Sequence, residues 1–90
     1  MLNNKRRYII VEEADVTTVL SVINRHRGFF SSTDSITGNC GWKDEPTKWY
    51  VRFSASNKQW GKIAGELSKL GNIIVNVTPR GATDLYFTRN

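Results

Sequence analysis

The order of strand-like and helix-like segments in this 90-residue chain predicts an α+β fold, with one antiparallel sheet and two helices on one of its faces. Two segments with apolar residues at helical spacing, each followed by glycine, predict the helices. Short segments rich in β-branched and aromatic residues lie before, between and after them. The length suits one hydrophobic core, so we expect a single domain over residues 1–90.

The first half of the chain reads as strand, helix, strand. Residues 6–13 have a continuous apolar and β-branched centre, which is typical of a central strand. Asp15 then precedes apolar residues at i, i+3, i+4 and i+7, and we expect Asp15 as the N-cap of this helix and Gly28 as its C-cap. Residues 29–36 combine aromatic and β-branched side chains with hydroxyls, which indicates an edge strand.

A loop, a third strand and a second helix follow. The Gly, Asn, Asp and Pro content of residues 37–46 predicts the loop, and TKWYVRFS at 47–54 predicts the strand. Ser56 and Gln59 form a capping-box pattern before an apolar helical stripe that ends at Gly71.

Two glycines inside this second helix, Gly61 and Gly65, are unusual. We expect them to let its backbone approach the sheet or the other helix closely, with a dimer contact as the alternative. Residues 72–77 predict a further strand, and residues 85–88 predict a short final strand that returns as a hairpin.

This order, βαββαβ plus a short C-terminal strand, is that of the ferredoxin-like split βαβ fold. Its first and third strands are central neighbours, and the sheet face away from the helices is open. One parity of 47–54 is uniformly apolar, so it predicts the core positions, which are Trp49, Val51 and Phe53. Lys48, Tyr50 and Arg52 then lie on the open face. In the first strand, Ile9 and Val11 are expected in the core, and Tyr8, Ile10 and Glu12 on the open face.

The formal net charge of +5 favours polyanions or acidic protein surfaces as partners. The single cysteine, Cys40, cannot form an internal disulfide, and no residues stand at metal-ligand spacing, so we expect a reducing compartment and no cofactor. The apolar run at residues 8–11 is too short for a signal peptide or a membrane span. We therefore expect a cytoplasmic protein that does not enter a membrane, as a monomer or small homo-oligomer.

The strand at 47–54 resembles the third strand of a degenerate RNA-recognition motif. Tyr50, Val51 and Phe53 match the last part of that motif, whereas Lys48 replaces its other aromatic residue. Tyr8 resembles the aromatic residue of the first-strand motif. The resemblance covers the topology of most of the chain and about half of the diagnostic positions. It implies bases stacked on the open face, and it does not assign the chain to a family.

These observations predict a small, basic, non-enzymatic module that binds RNA or single-stranded DNA on its open sheet face. The alternative is a protein-binding inhibitor or regulator, of the type that phages and mobile elements encode to block a host protein. Tyr8 and Tyr50 could equally be an ordinary cross-strand pair on a solvated sheet. The candidate binding residues for nucleic acid or a partner protein are Lys5, Arg6, Arg7, Tyr8, Arg25, Trp42, Lys48, Tyr50 and Arg52.

Enzymatic function is not expected, because the sequence has no recognisable nucleophile elbow, phosphate loop or acid and base pair. His26 is the only histidine. A metal-independent ribonuclease that uses His26 with Arg25 or Arg27 is the enzymatic alternative.

Overall fold

The computed structural model describes residues 4–36, 48–77, 81 and 83–90, except for the side chain of Asn76. Within this part of the chain the fold is α+β, with five strands and two α-helices in the predicted order. The elements are β1 (Lys5–Glu12), α1 (Val16–Arg25), β2 (Phe29–Ser35), β3 (Lys48–Ala55), α2 (Asn57–Leu70), β4 (Gly71–Val77) and β5 (Thr83–Arg89). The predicted loop at 37–46, with Trp42, lies outside the described residues.

The sheet is mixed, with strand order β2-β3-β1-β5-β4, so the prediction of an antiparallel sheet was wrong in one pair. β1 is antiparallel to β3, as predicted, but parallel to β5, with Ile10 opposite Tyr86. β5 does return as a hairpin on β4, yet it lies between β4 and β1. β4 and β5 run in opposite directions because they form a hairpin. β5 lies beside β1 and is parallel to it, whereas β4 in the same place would be antiparallel to β1.

A single hydrophobic core lies between the sheet and both helices. It is formed by Ile9, Val11, Val19, Val22, Ile23, Val51, Phe53, Ala55, Ile63, Leu67 and Phe87. Residues from β1, β3 and β5 therefore face the helices together, and the predicted inward parity of β3 is confirmed, with Trp49 partly buried against this core. Both helices cover the same sheet face, and no helix or strand within the described residues covers its other face, as the sequence predicted.

Helix α1 begins after Asp15, as predicted, but ends differently from the prediction. A 3-10 turn at Glu13–Asp15 precedes it, and the Asp15 side chain makes no capping hydrogen bond. The left-handed residue after the helix is Arg27, with φ 62°, and not Gly28. The Gly28 N–H donates to the Ile23 carbonyl at 2.8 Å and the Arg27 N–H to Asn24 at 3.0 Å, which is the Schellman pattern.

Helix α2 begins with the predicted capping box, in which Ser56 Oγ accepts from the Gln59 N–H and Gln59 Oε1 accepts from the Ser56 N–H. Gly61 and Gly65 are exposed, with open space where a Cβ would stand, so they do not serve the expected close approach to the sheet or to α1. Neither described helix combines the length and apolar character needed to cross a membrane.

Candidate functional site

The open face is formed by the side chains that alternate with the core residues along β1, β3 and β5. Strand register places Tyr8 opposite Arg52, Ile10 opposite Tyr50, and Glu12 opposite Lys48. Tyr86 in β5 lies opposite Ile10 on the other side of β1. The predicted cluster of Tyr8, Lys48, Tyr50 and Arg52 is therefore brought together on neighbouring strands.

Three tyrosines surround one buried residue at the centre of this face. The rings of Tyr8 and Tyr50 meet edge to face, with centroids 5.5 Å apart and planes at 77°. Ile10, between Tyr50 and Tyr86 in register, is fully buried although it points away from the helices. The open face therefore has its own small apolar centre, whereas the sequence predicted only that Ile10 points outward.

Tyr8 is held by a carboxylate from β5. Its hydroxyl donates to Asp84 Oδ1, and Asp84 is itself buried. The hydrogen bond to Asp84, together with partial burial and the negative charge of Asp84, raises the pKa of Tyr8 to about 12, against the opposing effect of Arg52. Tyr8 is therefore a neutral, fixed hydrogen-bond donor at ordinary pH.

A second carboxylate organises the other end of the face. Glu12 Oε1 accepts from Lys48 Nζ at 2.7 Å and from the Tyr86 hydroxyl at 2.9 Å. Lys48 Nζ also lies 4.9 Å from the centroid of the Tyr86 ring. Burial is the main cause that raises the pKa of Tyr86, and the hydrogen bond to Lys48 opposes it. The positive charge of Lys48 is therefore balanced by the Glu12 carboxylate on the same sheet face.

Arg52 connects the tyrosine cluster to the edge strand. Its guanidinium carbon lies 4.7 Å from the centroid of the Tyr50 ring, and its Nη1 donates to Asp34 Oδ1 in β2. Asp34 reaches this face because β2 has a register shift between Phe30 and Ser32, which moves the following residues to the opposite face. Both partners of this ion pair remain partly exposed, at 42% and 55% of their side-chain areas.

A groove of about 520 Å³ lies at the end of the face where the irregularity in β2 occurs. Its lining residues are Arg6, Arg7, Tyr8, Ser31, Ser32, Arg52 and Phe53. Arg6 is exposed on the open face and forms no ion pair within the described part of the chain. Two guanidinium groups, a phenol and two serine hydroxyls therefore surround one concavity, and such donors suit an anionic oxygen group.

Two aromatic residues of this face were not among the sequence-based candidates, and neither were its carboxylates Glu12, Asp34 and Asp84. Phe29 is 74% exposed and pairs with Ser54, the same residue that pairs with Arg6 from the other side. It therefore lies at the groove end of the face. Tyr86 could have been assigned from the alternation of Leu85 and Phe87 with Tyr86, but only once β5 was known to lie beside β1.

Among the other predicted site residues, Arg7 lines the groove but directs its guanidinium away from the open face. Arg7 faces the helices, where its Nε donates to the Ala55 carbonyl at 3.0 Å and its guanidinium lies 5.7 Å from the Trp60 ring centroid. Its side chain therefore does not extend the basic surface of the open face as expected. Lys5 is exposed at the start of β1, with the same parity as Arg7.

Arg25 lies at the end of α1, on the helix side of the molecule, and forms an ion pair with Glu66 in α2. His26 contacts the other oxygen of Glu66 at 2.8 Å. Arg25 and His26 line a separate basic hollow with Arg27, Lys58, Gln59 and Lys62. Arg25 therefore does not adjoin the open face, because it lies on the helix side of the sheet.

Taken together, the open face presents aromatic rings, two arginines beside a groove, and carboxylates that fix Tyr8, Lys48 and Arg52. This combination can stack planar groups and neutralise an anion at one end of the sheet. No protein-family model matches the sequence, and no curated protein or solved structure is significantly similar to the chain.

Proposed function

We propose that this protein is a small, non-enzymatic module that binds single-stranded RNA or DNA across the groove end of its open sheet face. The observation that carries the proposal is the placement of Arg6, Arg52 and Tyr8 around one groove, with the exposed ring of Phe29 at the same end. The net charge of +5 supports a polyanionic ligand.

The groove supplies the contacts that a phosphate needs. Arg6 is available as a cation, and Arg52 is partly exposed and can exchange its contact with Asp34 for a phosphate oxygen. Ser31 and Ser32 add hydroxyl donors at the irregular part of β2. A backbone phosphate in the groove places the adjoining bases on the aromatic residues around it.

Two aromatic residues near the groove in strand register offer stacking surfaces. Phe29 presents most of its ring to solvent, and Tyr50 lies beneath the Arg52 guanidinium. A base stacked on an aromatic side chain contributes about 1 to 3 kcal/mol by alanine substitution, without demanding a particular sequence. We therefore expect binding with weak sequence preference and strong salt dependence.

Fluorescence anisotropy of labelled single strands of about 12 nucleotides tests this proposal, with a duplex of equal length for comparison. Affinity should fall as salt rises from about 50 to 200 mM. Arg6→Ala should reduce the slope of log K against log salt by about 1, whereas Lys58→Ala on α2 should leave it unchanged. Lack of binding to single strands at the lowest salt would refute the proposal.

The aromatic contacts have a matched control in neighbouring phenylalanines. Phe29 lies on the open face, whereas Phe30 pairs with the core residue Phe53 and faces the helix side. Phe29→Ala should weaken binding about 5- to 150-fold, which corresponds to the loss of one stacked base. Equal losses in Phe29→Ala and Phe30→Ala would place the ligand elsewhere.

The paired charges of the face favour a second candidate, a regulator that binds a protein surface. Lys48 and Arg52 already contact Glu12 and Asp34, and Tyr and Arg are enriched in protein-binding hot spots. In this case single strands do not bind, and a nuclease-treated lysate yields one stoichiometric protein that Tyr50→Ala releases. Retention of that protein by Tyr50→Ala would count against this candidate.

We also interpret the fold as a variant of the ferredoxin-like sheet in which β5 takes the place beside β1 and moves β4 one position outward. The single cysteine remains the basis for expecting a cytoplasmic location.

A further inference from the structure

The outer strand β4 leaves one row of backbone groups without a strand partner in the described part of the sheet. β4 pairs with β5 on one side only, and the pairing is regular from Gly71 to Val77. The Asn90 N–H donates to the Leu70 carbonyl at 3.2 Å, so Leu70 and Asn90 form a hydrogen-bonded pair. Hydrogen-bonded and non-hydrogen-bonded residue pairs then alternate along β4 and β5. Ile74 therefore directs its N–H and C=O toward β5, whereas Ile73 and Val75 direct theirs outward.

The side chains of this edge are also apolar and accessible. Ile74, Val75 and Val77 are 46%, 60% and 66% exposed, on both faces of the strand. Gly71–Val77 contains no charged residue, no proline and no register shift. The other edge strand, β2, has both a register shift and a charged residue, Asp34. Edge strands without such features readily pair with another strand, so β4 is the edge that is open to pairing.

The sequence of β4 is nearly the same in both directions. Residues 72–76 read NIIVN, so an antiparallel copy centred on Ile74 sets Ile73 opposite Val75 and Ile74 opposite itself. In this register the outward backbone groups of Ile73 meet those of Val75 in the other copy, so donors face acceptors. Two antiparallel copies of this edge therefore match each other in backbone hydrogen bonding and in side-chain type, with Ile74 at the centre.

We propose that two copies of this chain associate through their β4 strands, antiparallel and centred on Ile74, to form one continuous ten-stranded sheet. The occupant is a second copy because the edge complements itself and offers no charge for an acidic or basic partner to recognise. The two-fold axis is perpendicular to the sheet, so both open faces lie on the same side. The main-chain hydrogen bonds supply affinity, and the aliphatic residues fix the register.

Sedimentation equilibrium of the protein alone tests the association without any nucleic acid, so its result is independent of the proposed binding function. The wild-type protein should show a concentration-dependent monomer–dimer equilibrium. Val75→Pro removes an N–H that the monomer does not use in its own sheet, and should raise the dissociation constant more than tenfold with an unchanged circular dichroism spectrum. Phe29→Lys on the opposite edge should leave it unchanged.

Cysteine placement tests the register directly. In a Cys40→Ser background, Ile74→Cys sets two thiols in a pair that is not hydrogen-bonded, with Cα atoms about 4.5 Å apart, within disulfide range. Mild oxidation should link the Ile74→Cys protein into covalent dimers, and Asn72→Cys on the same face should link far more slowly. A wild-type protein that stays monomeric, or equal linking in both variants, would overturn the proposal.

Discussion

At the scale of single residues, buried or half-buried carboxylates fix the positions of side chains on the open face. Asp84 binds Tyr8, and Glu12 binds both Lys48 and Tyr86. None of these pairs could be predicted from the sequence, because each depends on β5 or on exact register. The parity of β3 could be predicted, since Val51 and Phe53 alternate cleanly with polar residues.

Tyr8 should make stability depend on alkaline pH. Its pKa is raised in the folded protein to about 12 from about 10, so folding favours the neutral phenol. This contribution is complete below about pH 10 and is lost as pH rises toward 12. Tyr8→Phe should be less stable by about 1 kcal/mol at pH 8, through the lost hydrogen bond. Urea unfolding of both proteins should show the difference shrinking between pH 10 and 12; a constant difference would contradict it.

Gly71 is required by space and not by its backbone angles, since its φ of −175° is extended. A Cβ at this position would lie 2.1 Å from the Thr88 carbonyl oxygen in β5. Gly71→Ala should therefore destabilise the protein by about 3 kcal/mol, the upper part of the usual range for overpacking.

The control for Gly71→Ala is a glycine in open space. At Gly61, on the exposed side of α2, a Cβ meets nothing within 4 Å. Gly61→Ala should stabilise the protein by about 1 kcal/mol through helix propensity alone. Both values come from urea unfolding at neutral pH. A loss of stability in Gly61→Ala would show that this helix face is covered in solution.

At the scale of elements, the sequence predicted the existence and order of every described strand and α-helix, and the starting cap of α2. The sequence did not predict the register between β2 and β3 or the position of β5 in the sheet. The register shift in β2 sends Asp34 to the open face, and a bulge has no dependable signature in one sequence. The position of β5 depends on how the hairpin with β4 returns to the sheet. The alternation of side chains within residues 85–88 does not show which strand lies beside β5.

The end of α1 carries a conformation that suits glycine better than its own residue. Arg27 has φ 62°, in the left-handed region that costs a non-glycine residue about 1 to 2 kcal/mol. Arg27→Gly should therefore raise the free energy of unfolding by about 1 kcal/mol. Arg27→Ala removes the same charge without relieving the backbone and should give no increase. Equal effects of both variants on urea unfolding would show that charge, and not φ, decides.

At the scale of the whole molecule, β5 is an interior strand of the sheet and connects β4 to the other three strands. It lies between β1 and β4, and Phe87 in β5 is fully buried in the core. The sequence predicted a short terminal addition at this place. The proposed β4 association would add to this sheet and set the two β1 strands about 24 Å apart, at five strand spacings.

Phe87 and Phe30 should respond very differently to truncation. Phe87→Ala removes a fully buried ring and should cost about 3 to 5 kcal/mol. Phe30 is 40% exposed on the edge strand, and Phe30→Ala should cost about 1 kcal/mol. Thermal and urea unfolding should rank the two variants in this order. Similar costs would mean that β5 is not central to stability.

The parallel pairing of β1 with β5 has a consequence for folding during synthesis. β1, β2 and β3 can pair as soon as α1 and the residues up to Ala55 have left the ribosome. β4 cannot reach β1 through β5 until β5 has been made, because β5 separates them. A nascent chain therefore exposes one side of β1 until β5 has been made, and the time between the synthesis of β3 and that of β5 sets how long β1 is open to wrong partners.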